Sequence, residues 1–144
     1  MIHSFNIKKI YPNSIEIQIE KTKLLGITYY DEKKFFIGAN GKLINFQSIS
    51  QNLPWVYGKV KIKNFINFKK IIDKSRLNFK EISEIYFFPS GRWDIKLKNE
   101  ILFKLPDKNL LEALNLAIKI VNNEKFKNDK IIDLRIANHV ISKK

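Results

Sequence analysis

Over residues 14–20, Ile15, Ile17 and Ile19 interleave with Glu16, Gln18 and Glu20, and this period of two predicts a half-buried strand. Phe5 and Ile7 alternate in the same way ahead of Tyr11-Pro12-Asn13-Ser14, which has turn chemistry, so the first twenty residues predict a hairpin. A two-stranded hairpin is marginal by itself in water. Further strands are expected over 24–30 (LLGITYY) and on both sides of Asn40-Gly41 in 34–46, a dipeptide that predicts a type I′ turn with positive φ at both central residues. Residues 47–59, with Pro54, Trp55 and Gly58, read as an irregular packed loop.

The period changes from two to 3.6 in two places. Phe65, Phe68 and Ile72 recur at helical spacing within 64–77, behind Asn64 as the expected cap. Leu110, Leu114, Ala117 and Val121 form a stripe along 108–123, with Asp107 as the expected cap. Between the helices, residues 84–106 predict a three-stranded meander joined by Pro-Ser-Gly and Lys-Asn-Glu turns, with Trp93, Ile95 and Leu97 alternating against Arg92, Asp94 and Lys96. Residues 130–144 predict a strand, a break around Ala137-Asn138 and a last strand over 138–143. The pattern is α+β: a mixed or antiparallel sheet packed on two helices.

Charge changes this picture little. The net charge is +13, yet 24 of the 27 basic residues are lysine, scattered singly or in pairs with no block of five or six. Phosphate and guanine readout favours arginine, so a basic nucleic-acid-binding module stands as the alternative class, beside association with an anionic membrane surface. With no cysteine in the chain, disulfides and thiolate metal sites are excluded. Nor does any run reach the roughly 18 apolar residues of a membrane-spanning helix.

Catalysis has no candidate constellation. His3 and His139 have no carboxylate or hydroxyl at recognisable spacing. Asp31-Glu32 and the Glu81/Glu84 pair flank strands among many lysines and read as surface charge. IGANGK lacks the spacing and the Ser or Thr of a phosphate loop. A non-enzymatic protein without metal or cofactor is expected.

The order of segments resembles the extracytoplasmic region of the bacterial cell-division family FtsQ, called DivIB in Gram-positive bacteria. The likeness rests on IYPNSIEIQIEKTK, the hairpin FIGANGKLI, the loop NLPWVYGK, the Gly-x-Trp strand and return in FFPSGRWDIKLKNEILFKLP, and the closing IIDLRIANHVIS. It implies that residues 1–21 are a terminal hairpin resembling the end of a POTRA domain and that residues 22–144 are an FtsQ-like β domain. It also implies a non-catalytic divisome scaffold that binds FtsB-like and FtsL-like partners, supports septal cell-wall synthesis and, at full length, is anchored in the inner membrane with this region in the periplasm. The implied partner-binding residues are Arg135, as an ion-pairing residue for an acidic partner, with Ile136, Asn138, His139, Val140, Ile141 and Ser142. A terminal strand at a sheet edge offers unpaired N–H and C=O groups for strand addition. The chain departs from the family pattern at Ile136, where Tyr is usual, and at His139, where Gly is common.

Overall fold

The computed structural model describes residues 2–10, 14–47, 52–136 and 140–143. The alternation of the first twenty residues becomes an antiparallel pair, β1 (Ile2–Ile10) and β2 (Ser14–Lys21), whose register sets Phe5 across from Ile19 and Ile7 across from Ile17. This hairpin is a two-stranded sheet of its own. Tyr11, Pro12 and Asn13 of its expected turn lie outside the described residues.

A nine-stranded mixed sheet carries the remaining strands: β3 (Leu24–Tyr30), β4 (Lys33–Gly38), β5 (Leu43–Asn45), β6 (Trp55–Tyr57), β7 (Ile82–Phe87), β8 (Trp93–Leu97), β9 (Leu102–Lys104), β10 (Ile131–Asp133) and β11 (Ile141–Lys143). Their spatial order is β11-β10-β9-β8-β7-β6-β3-β4-β5. The meander β7-β8-β9 and the hairpins on either side of β4 form as the alternation predicts.

Trp55-Val56-Tyr57 does not follow the loop reading. It is the strand β6, parallel to β3 on one side and to β7 on the other. Three residues between Pro54 and Gly58 are too few to show a period, and the pairing is supplied by neighbours distant in sequence. Ile27 N–H donates to the Pro54 carbonyl at 3.0 Å, and the Thr28 hydroxyl donates to the Val56 carbonyl at 2.9 Å. Gly58 then leaves the strand at φ 104°, and a Cβ there would lie 2.2 Å from the Phe87 carbonyl oxygen, so the chain passes β7 only because the residue is glycine.

The helices are α1 (Ile62–Lys74) and α2 (Leu110–Val121), and neither uses the expected cap. Asn64 lies inside α1, whose N-cap is Lys61, because the apolar stripe begins a turn earlier at Ile62, which packs on the core. Asp107 stands outside α2. Asn109, at φ 58°, turns the chain into that helix, and Asn is among the residues that tolerate this left-handed conformation. Phe65, Phe68 and Ile72 of α1 and Ala113, Leu114, Ala117 and Ile120 of α2 bury against one face of the sheet. There Val56, Ile85, Ile95, Phe103 and Ile132 stand side by side in register, each no more than 1% exposed. Burying each such side chain contributes about 1.5–3 kcal/mol. Phe68 stacks on Trp93 with centroids 4.3 Å apart, which makes Trp93 a core residue.

The turns also redistribute. At Asn40-Gly41 positive φ falls on Gly41 (82°) alone, and Gly38 N–H and Gly41 N–H donate to the carbonyls of Lys42 and Gly38. This is a three-residue loop ending in a left-handed residue. The same pattern joins β7 to β8 at Gly91 (φ 89°) and β8 to β9 at Glu100 (φ 74°). The two-residue loop with both central residues at positive φ is Asp31-Glu32 (48° and 64°), between the paired Tyr30 and Lys33. That reverse turn matches the twist of its strands but imposes a left-handed conformation on a glutamate.

Two predictions follow from these backbone constraints. Glu32→Gly removes about 1–2 kcal/mol of left-handed strain against roughly 0.5–1 kcal/mol of added chain entropy, so a stabilisation of about 0.5–1 kcal/mol is expected in urea unfolding. Gly58→Ala should destabilise by about 3 kcal/mol or more in the same assay, since either the Phe87 carbonyl or β6 must shift.

Candidate functional site

The C-terminal end of the sheet is built by β10 and β11. β10 runs parallel to β9, with the Leu102 and Leu134 N–H groups donating to the carbonyls of Lys130 and Lys104, both at 2.8 Å. β11 runs antiparallel to β10, with Ile141 across from Asp133, Ser142 across from Ile132 and Lys143 across from Ile131. Lys130 N–H donates to the Lys143 carbonyl at 2.6 Å. β11 is the last strand of the sheet on this side.

Asp133-Leu134-Arg135 divides its work three ways. Leu134 is buried in the core. Asp133 is also buried, and Arg135 grips it with two parallel bonds, Nε to Oδ1 at 2.9 Å and Nη2 to Oδ2 at 2.6 Å, while the Arg135 backbone N–H donates to Oδ1 at 3.1 Å. These hydrogen bonds hold the Asp133 carboxyl below its usual range against the opposing effect of burial. The arginine expected to meet a partner's acid is therefore already engaged within the chain. A guanidinium bound along its Nε–Nη2 edge has donors on Nη1 for a second carboxylate.

The pair belongs to a charge ladder on the sheet face opposite the helices. Register sets Tyr86 of β7, Asp94 of β8, Lys104 of β9 and Asp133 of β10 in one row. Arg92 pairs with Asp94, which is buried, and burial pushes that carboxyl up despite the guanidinium beside it. Towards β3 the row becomes aromatic: Tyr86 stacks on Tyr57 at 5.3 Å, Tyr57 on Trp55 at 6.3 Å and Trp55 on Tyr29 at 5.5 Å. Burial, and a hydrogen bond to Glu84, push the Tyr86 phenol up. Alternation in RWDIK and LFK marked these positions as non-core, but nothing local marked Asp94 as buried or showed that the row is continuous.

Of the expected partner-binding residues, Ile136, Val140 and Ile141 are 55%, 40% and 39% exposed and lie at this edge. Ser142 sits on β11. Asn138 and His139, with the expected break at Ala137-Asn138, lie outside the described residues. A shallow hollow of about 450 Å³, lined by Tyr86, Asp94, Lys96, Leu102, Lys130 and Ile131, lies on the same face over β7 to β10. A groove of about 920 Å³ lies elsewhere, between the start of β3, the residues before β6 and the end of α1. Among the described residues no group of His, Asp and Glu is arranged to hold a metal ion.

The family profile described as cell division protein FtsQ/DivIB, C-terminal, matches residues 28–135. The chain is 25% identical over 142 residues to the cell division protein FtsQ of Rhizobium radiobacter and to that of Agrobacterium fabrum, covering 94% of itself in each case. It spans 66% of the length of the first relative and 44% of the second. The major extracytoplasmic domain of the division protein DivIB from Geobacillus stearothermophilus, in its trans isomer, superposes with a TM-score of 0.50 at 14% identity, over 76% of this chain and 98% of that one. The fold is shared with that domain.

The Asp133–Arg135 pair makes a pH prediction. Since the folded-state pKa of Asp133 lies below its unfolded value, its contribution is present above the unfolded value and lost as pH falls through the folded one. In Arg135→Gln, burial remains while the main opposing bonds are gone, so the Asp133 pKa should rise towards or past its unfolded value, and the share of stability that this carboxyl loses on acidification should shrink or reverse sign. Carboxyl ¹³C titration and melting curves from neutral pH to pH 2 measure both; an unmoved Asp133 titration would show that the guanidinium does not set it.

Proposed function

Because the chain belongs to the FtsQ/DivIB family of cell-division proteins, we propose that it is a non-catalytic scaffold of the divisome whose edge strand β11 receives a strand from an FtsB-like or FtsL-like partner. The observation that carries this reading is an edge strand at the end of a nine-stranded sheet, accompanied by exposed Ile136, Val140 and Ile141. An unpaired edge supplies main-chain hydrogen bonds, and the apolar side chains beside it supply area to bury. Asn138 and His139 belong to the same proposed segment, and Arg135 contributes through the Nη1 side of its guanidinium.

Docking at this edge recruits partners that support septal cell-wall synthesis. Residues 1–21 act as the terminal hairpin of a POTRA-type unit and residues 22–144 as the β domain. In the full-length family form the protein is anchored in the inner membrane and this region works in the periplasm. Among the described residues no helix is long and apolar enough to cross a membrane.

Successive N–H groups of a strand point to opposite sides, so one of Ile141 and Ser142 directs its donor away from β10. Ile141→Pro and Ser142→Pro together cover both cases. The measurement is titration of each variant with the extracytoplasmic segment of the cognate FtsB-like protein, with circular dichroism as the folding control. Removing the outward donor and adding the ring clash should weaken binding tenfold or more in a folded domain. Wild-type affinity in both variants would exclude β11 as the docking strand.

A further inference from the structure

The groove of about 920 Å³ beside the end of α1 combines an apolar wall with an excess of positive charge. Lys23, Lys69, Lys80 and Lys98 line it, and among the described residues Asp73 is the one carboxylate in the lining. That carboxylate is already engaged, since Lys69 Nζ donates to its two oxygens at 3.0 and 2.7 Å. The Lys69 side chain is only 12% exposed and its ammonium lies 4.7 Å from the centroid of the Phe79 ring, so its charge is held at one place. An ammonium has three N–H donors, and Asp73 takes two of them. Among the described residues no carboxylate pairs with Lys23, Lys80 or Lys98, which are exposed. Backbone bonds keep the last two close together: the Asn78 side chain accepts from the Lys80 N–H at 3.0 Å, and the Lys98 N–H donates to the adjoining Glu81 carbonyl at 2.8 Å. Leu24, Leu25 and Leu77 form a buried floor, with Leu53 and Phe79 half-buried beside it.

We propose that this groove binds one molecule of a phosphomonoester carrying a short apolar chain, with the phosphate among the lysines and the chain along Leu53 and Phe79. Its volume lies within the roughly 300–1,000 Å³ of small-molecule sites, and a hollow between three segments suits a single molecule rather than a flat bilayer surface. A carboxylate brings one negative charge. A phosphomonoester brings about −1.5 to −2 at pH 7, with three acceptor oxygens, and so matches several unpaired ammonium groups at once. Without a chain, an anion would leave the apolar wall in water.

The test is an amide NMR titration of the ¹⁵N-labelled chain with octyl phosphate below its micelle concentration, alongside octanoate, octyl glucoside and inorganic phosphate. Octyl phosphate should shift the amides of Lys23–Leu25, Leu53 and Leu77–Lys80, and bind about tenfold or more tightly than each of the other three. Lys80→Ala combined with Lys98→Ala replaces two exposed side chains, so the fold should persist while affinity for octyl phosphate falls about tenfold. Lys127→Ala, an exposed lysine outside the lining, should change nothing. Equal affinity for octyl glucoside would reduce the site to an apolar groove, and equal affinity for inorganic phosphate would reduce it to surface charge; either overturns the proposal. So does an unchanged affinity in the Lys80/Lys98 double variant. Adsorption to phosphatidylglycerol vesicles with no binding of octyl phosphate would assign the lysines to diffuse membrane attraction and overturn it as well.

Discussion

Parallel pairing of β6 with both β3 and β7 is the constraint on which the sheet depends. It joins two antiparallel blocks, β3-β4-β5 and β7-β8-β9, that are otherwise built from local hairpins. Only three residues do this, held by the Thr28 hydroxyl, the Pro54 carbonyl and the close passage of Gly58 beside Phe87. Parallel pairs cannot be closed by a tight turn, so α1 and the residues around it form the crossover between β6 and β7. The helix and the sheet's buried face are thus products of the same connection.

The two faces of the sheet have different tasks. Facing the helices, a row of Val, Ile and Phe supplies hydrophobic stabilisation from side chains that carry no titratable group. The other face carries stacked aromatic rings over the middle strands and paired charges near β8 to β10. Isolated exposed charge pairs contribute little. Here Asp94 and Asp133 are buried, and each is held by an arginine two residues away in sequence, just outside its strand. Such pairs fix orientation more than they add stability, because desolvation offsets much of the attraction.

That arrangement bears on recognition. A partner strand on β11 would meet a surface whose charges are already ordered by register, with little side-chain entropy left to lose at Arg135. Preorganisation of this kind lowers the cost of binding without enlarging the contact. The protein's chemistry is therefore expected to lie in main-chain pairing and charge placement, as suits a division protein of a family known for non-catalytic roles.

Strands with clean alternation, both helices with most of their buried faces, and the closing Asp-Leu-Arg segment were legible in the sequence by itself. Each is a period repeated over several residues, and solvent on one side with core on the other imprints it locally. Ile136, Val140 and Ile141 near the C-terminus were singled out through the family resemblance, not through a period. Four matters were not legible in the local pattern: Trp55–Tyr57 as a central strand, the start of each helix, the reverse turn at Asp31-Glu32 rather than Asn40-Gly41, and the capture of Arg135 by a buried Asp133. A three-residue strand shows no period, and a cap is displaced when the apolar stripe or a left-handed residue demands it. An arginine's partner is settled by which carboxylate the sheet brings within reach and buries. Sequence determined what each segment prefers; the tertiary structure decided which strands meet, and so which of them stand at the edges of the sheet.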